Sequence, residues 1–99
     1  MKILLVEDSP GVVQFVRNGL VESGHVVDHA GTGRDGLFLA SSARYDVIIL
    51  DRMLPDEIDG LAIIEALRKT KNKTPILILS ALGDIDDKIR GLRAGATII

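Results

Sequence analysis

The sequence predicts a single α/β domain in which a parallel sheet is wound by helices, and three observations carry that expectation. Residues 3–6 (ILLV), 47–50 (VIIL) and 76–79 (ILIL) are short, unbroken apolar runs bounded by polar residues. Runs of that length, rich in β-branched side chains, read as strands buried on both faces. Between them lie stretches whose apolar residues recur at helical spacing. Such alternation of strand and helix implies parallel pairing through right-handed crossovers. The third observation is composition: 46% of the 99 residues are hydrophobic but only 3% are aromatic. A core of Leu, Ile, Val and Ala suits a helix-covered parallel sheet better than an aromatic-rich sandwich.

After the strand at 3–6, Ser9 offers an N-cap and Pro10 a first-turn residue for a helix whose apolar face is Val12, Val13, Val16, Leu20 and Val21. Gly24 is placed to end it. A weaker strand follows at 25–29, where Val26 and Val27 lie between His25 and His29. Both histidines are expected at the sheet edge, away from the acidic residues. Leu37, Leu39, Ala40 and Ala43 mark a second helix, and Leu61, Ile64 and Leu67 a third. The third opens at Asp59-Gly60, carries Lys69, Lys71 and Lys73 near its C-terminal end, and is stopped by Thr74-Pro75. Ile85, Ile89 and Leu92 mark a fourth helix, Gly95 its end, and Thr97, Ile98 and Ile99 the stub of a fifth strand.

Composition narrows the function. The chain has no cysteine, which excludes a disulfide scaffold, a thiolate metal site and a Cys nucleophile. A formal charge of −2 gives no general attraction for nucleic acid or an acidic membrane. No apolar run reaches transmembrane length and no signal peptide is evident, so the expected compartment is the cytosol.

Ligands of wound parallel sheets bind beyond the C-terminal strand ends. The residues there form an unusual set: Glu7 and Asp8 after the first strand, Asp51 after the third, Ser80 after the fourth. If those strands are neighbours, three carboxylates and a hydroxyl converge. Clustered carboxylates repel one another unless a cation or proton intervenes, and all-oxygen ligation points to Mg²⁺. A metal-bound Asp51 is suited to accept a phosphoryl group, with the Ser80 hydroxyl bonding to a second phosphoryl oxygen. Each residue alone has a plainer reading. Asp8 or Ser9 could cap the first helix, Glu7 could be a solvated loop acid, and Ser80 an ordinary turn hydroxyl.

The runs KILLVED (2–8), GH (24–25), YDVIILD (45–51), MLP (53–55), DGL (59–61), TPI (74–76) and GLRAGA (91–96) together resemble the receiver domains of two-component response regulators. The resemblance is nearest to the subfamily that carries a winged-helix DNA-binding domain, and it runs from Met1 to about Ala96. It implies a flavodoxin-like doubly wound sheet of order 2-1-3-4-5 and phosphorylation of Asp51 by a histidine kinase. It implies a Mg²⁺ site formed by Glu7, Asp8, Asp51 and the Met53 carbonyl. Ser80 would be the switch hydroxyl, and the backbone of Ala81 would hold a phosphoryl oxygen.

The tail departs from the family. Where members continue to an aromatic switch residue, a Lys-Pro pair and a fifth helix, this sequence reads Thr97-Ile98-Ile99. Residues 1–99 are therefore expected to form one receiver domain, incomplete at its C-terminus, with strand five truncated and helix five missing. Phosphoryl transfer is expected to be impaired. An absent fifth helix would uncover roughly 500 Å², worth about 10 kcal/mol at most, against the ~5–15 kcal/mol that holds a whole domain. The expected response is a homodimer, with exchange of elements between copies as one route. Two other classes compete: a non-phosphorylated interaction module, and a Mg²⁺-dependent phosphohydrolase working through an aspartyl-phosphate. The latter is disfavoured because the nucleophile candidate follows the third strand rather than the first.

Overall fold

The computed structural model describes residues 1–51, 54–55 and 58–79, with the backbone of 97–98. The predicted fourth helix, the loop residue Met53, and Ser80, Ala81 and Ile99 lie outside the described residues. Five strands, β1 (Lys2–Val6), β2 (Val26–Ala30), β3 (Val47–Asp51), β4 (Ile76–Leu79) and β5 (Thr97–Ile98), form one sheet of order β2-β1-β3-β4-β5. Every pairing is parallel. Three helices are described: α1 (Pro10–Glu22), α2 (Gly33–Ser42) and α3 (Gly60–Lys69). The winding direction reverses between β1 and β3, which places the ligand crevice at their C-terminal ends.

The central strands are apolar on both faces because both faces are covered. Leu4, Val6, Ile48, Leu50, Ile76 and Ile78 point to one side, where Ile63, Ile64 and Leu67 of α3 and Ala40 of α2 complete the larger core. Ile3, Leu5, Val27, Val47 and Ile49 point to the other, against Val13, Val16 and Leu20 of α1. That second core is thinner: α1 has no buried residue, and Leu77 and Leu79 of β4 are only half-buried there.

The register of β1 against β3 is pinned at its entry by a reciprocal pair of bonds. Asp46 N–H donates to the Lys2 carbonyl at 2.8 Å, and Lys2 N–H donates to Asp46 Oδ2 at 2.7 Å. From there Ile3 pairs with Val47 and Val6 with Leu50. Beside this clamp, the Tyr45 hydroxyl donates to Asp28 Oδ2 at 2.8 Å, and the Lys2 ammonium lies 5.3 Å from the ring centroid. Burial, then the hydrogen bond to the Asp28 carboxylate, push the phenol up to about 12.

Local differences from the sequence reading have physical causes. Strand two is Val26–Ala30 rather than 25–29, because Lys2 pairs with Val26 and Val6 with Ala30. On α1 the inward stripe is Val13, Val16 and Leu20, while Val12 and Val21, at the margins of the predicted face, are 39% and 52% exposed. On α3 the buried set is Gly60, Ile63, Ile64 and Leu67, with Leu61 half-buried. As expected, Asp59 caps α3 by accepting from the Ala62 N–H at 2.9 Å.

The buried positions of α2 include Gly33 and Gly36, which hydrophobic spacing cannot register. A Cβ on Gly36 would come within 2.7 Å of Val6 Cγ1 and 2.9 Å of Cγ2. Only glycine lets α2 approach β1 so closely, one residue before Glu7. Gly36→Ala is expected to cost ~1–3 kcal/mol through overpacking. Urea unfolding should show most of that cost disappearing in a Val6→Ala background.

Candidate acidic site at the sheet switch point

Continuing the β1–β3 register one step past Val6 and Leu50 brings Glu7 opposite Asp51, the last residue of β3. Asp8 follows on the turn into α1. Each of the three offers a carboxylate oxygen, and these atoms lie within 4.8 Å of one another. The residues differ in surroundings: Glu7 is only 4% exposed, Asp51 is half-buried and Asp8 faces solvent.

Glu7 is held at three points. Its N–H donates to the Ala30 carbonyl at 3.0 Å, its Oε1 accepts from the Ser9 N–H at 3.0 Å, and its carbonyl lies 2.8 Å from His29 Nε2. Ser9 occupies the N-cap position of α1 but makes no side-chain cap bond. Its backbone serves the Glu7 carboxylate instead, so the capping reading does not account for this turn.

Burial pushes the Glu7 carboxyl up to about 7. The Ser9 N–H works in the opposite direction, while the charge and hydrogen bond of Asp51 and the charge of Asp8 raise it further. A buried acid sharing a hydrogen bond with a second carboxyl must hold a proton or face a cation. The donor set suits a hard divalent ion: three carboxylates, all oxygen, one side open to water through Asp8. Met53, Ser80 and Ala81 belong to the same expectation but lie outside the described residues.

One expectation is corrected. His29 is not remote from the acids, because its ring reaches the Glu7 carbonyl across the β1–β2 pair. It also forms one wall of a groove of about 370 Å³ that runs from Asp8 along Val13, Gln14, Arg17 and Asn18 of α1. His25 does stay away from the acids, just before the far end of β2, with Nδ1 2.9 Å from the Met1 amino group. Lys69, Lys71 and Lys73 are exposed, as a solvated turn should be.

A parallel sheet ordered β2-β1-β3-β4-β5, with acids converging at the switch point, defines a receiver-type signalling module. The family model of the response regulator receiver domain matches residues 3–99, and the chain belongs to that family. It is 48% identical over 96 residues to the transcriptional regulatory protein HprR of Escherichia coli, covering 97% of this chain and 42% of HprR. It is 44% identical over 96 residues to the transcriptional activator protein IrlR of Burkholderia pseudomallei, covering 97% of this chain and 41% of IrlR. The chain thus spans less than half the length of these relatives. Among solved structures, the receiver domain of Francisella response regulator 1452 superposes with a TM-score of 0.91 at 36% identity, covering 99% of this chain and 81% of that one. TrrA from Thermotoga maritima, solved in complex with Mg²⁺ and BeF, superposes with a TM-score of 0.85 at 30% identity, covering 99% and 84%. No helix among the described residues is long and apolar enough to cross a membrane.

The raised Glu7 carboxyl has a definite sign in stability. The folded chain holds this proton more tightly than the unfolded chain, whose carboxyl titrates near 4.5. The contribution of Glu7 to stability is therefore full below pH 4.5 and is lost as pH rises to about 7. In metal-free buffer, Glu7→Gln should remove this decline, leaving the variant more stable than wild type above pH 7. Urea midpoints for both proteins across the pH range measure the difference.

Proposed function

We propose that residues 1–99 form the phospho-accepting receiver domain of a two-component response regulator, with Asp51 as acceptor. The observation that carries this reading is the meeting of Glu7, Asp8 and Asp51 at the switch point. The phosphoryl group comes from a histidine kinase: the phosphorus–nitrogen bond breaks as a bond to an Asp51 carboxylate oxygen forms, and the histidine nitrogen regains a proton. Glu7, Asp8, Asp51 and the Met53 carbonyl would hold Mg²⁺, which supplies neutralisation of charge on the phosphoryl oxygens. The Ser80 hydroxyl and the Ala81 backbone N–H bind the remaining phosphoryl oxygens. Ser80 thereby senses whether Asp51 is modified.

The kinase is the partner in trans, and the open face of α1 beside Asp8 is the surface through which it reaches the acids. A second copy of the chain is the other partner. Phe15, 81% exposed on α1, and the half-buried Leu77 and Leu79 supply apolar surface for such pairing. The chain is a signalling module rather than a turnover enzyme, it binds neither nucleic acid nor membrane itself, and it works in the cytoplasm.

Incubation with acetyl phosphate and Mg²⁺, followed by mass spectrometry, tests the assignment. One phosphoryl group is expected on Asp51, absent in Asp51→Asn and absent when EDTA removes the metal. Labelling that survives Asp51→Asn, or that ignores EDTA, would overturn the reading. No hydrolysis of phosphomonoesters is expected in the same buffer.

A further inference from the structure

We infer that His29 is a positioning residue for the acidic pair, acting through the single peptide group that joins Glu7 to Asp8. This rests on the proposal that Glu7, Asp8 and Asp51 hold Mg²⁺.

A carbonyl oxygen can only accept a hydrogen bond, so the 2.8 Å contact between His29 Nε2 and the Glu7 oxygen makes Nε2 the donor. That oxygen belongs to the peptide between the two acids. The β1–β2 ladder runs out at this point: Val6 pairs with Ala30, Glu7 N–H takes the Ala30 carbonyl, and β2 ends. Among the described residues no backbone N–H reaches the Glu7 oxygen, and the imidazole stands where a longer β2 would have supplied one.

The ring is exposed on the edge strand, and its Cε1 lies 3.9 Å from where a Cβ on Gly31 would sit, beside the turn that leads from β2 to α2. The three bonds on Glu7 then divide the work. The Ala30 bond fixes where Glu7 begins, and the Ser9 bond aims its carboxylate. The His29 bond sets the plane of the following peptide and with it the direction in which Asp8 leaves. Nothing else among the described residues bonds to that peptide oxygen. Partners that orient metal-ligating groups typically carry a 10–100-fold share of metal affinity.

The test compares wild type with His29→Leu and His29→Gln, the second retaining an amide N–H donor that can reach the same oxygen. Mg²⁺ is titrated while the amide resonances of Asp8 and Ser9 are followed, and the imidazole tautomer is read from its ¹⁵N shifts in metal-free protein. The wild type should show hydrogen on Nε2. His29→Leu should weaken Mg²⁺ binding by roughly 10-fold or more, and His29→Gln should restore most of it. Labelling of Asp51 at saturating Mg²⁺ should be nearly unchanged, separating a positioning role from participation in transfer. Equal Mg²⁺ affinity in wild type and His29→Leu would overturn the role of His29 and leave the acidic site standing. A wild-type chain that binds no Mg²⁺ would overturn the acidic site, and this inference with it.

Discussion

The structure depends on a parallel register that forces like charges together. Asp46 and Lys2 lock the entry of β3 beside β1, and four paired residues carry that alignment to the far end of the sheet. The strands are buried on both faces, so a slip of one residue would turn Ile48 and Leu50 away from the larger core. Hydrophobic burial thus fixes the register, and the register delivers Glu7 and Asp51 to the same edge. The core supplies the free energy needed to hold carboxylates at a separation that they would not adopt in water.

The two layers of helix contribute unequally. On the α2–α3 side the packing is tight enough to require glycine at the contact with Val6, and α3 buries Ile63, Ile64 and Leu67 almost completely. On the α1 side the contacts are half-buried valines and a leucine. The site therefore has one rigid wall and one lightly held wall. The turn bearing Asp8 belongs to the second, and its local bonds to Ser9 and His29 compensate for the sparse packing of the helix that follows.

Most of the fold was legible because its strands are unbroken apolar runs, a pattern that few structures other than a covered parallel sheet produce. The short fifth strand was legible too, as backbone pairing of Thr97 with Leu77 and Ile98 with Ile78. Glu7, Asp8 and Asp51 could be found because strand ends are where such sheets place their chemistry. Less could be read where a residue acts through something other than hydrophobicity. Gly36 is buried by virtue of lacking a side chain. His29 is the exposed edge residue expected, but its nearness to the acids was missed because a hydrogen bond to a backbone oxygen leaves no trace in residue type. The one-residue error in β2 has the same root: with two valines between two histidines, only pairing with β1 sets the limits.

One consequence follows from how α1 is built. It contains Gly11 and Gly19, no acidic residue in its first turn, no basic residue in its last, and no side-chain cap at Ser9. Glycine in a helix interior costs about 1 kcal/mol relative to alanine, so intrinsic preference does little to keep this segment helical. Its order is borrowed from three side chains resting on the sheet. α1 is accordingly the segment whose amides should exchange with solvent through local opening well before those of α3. A partner lying along it would tighten the helix and the acidic turn in a single event.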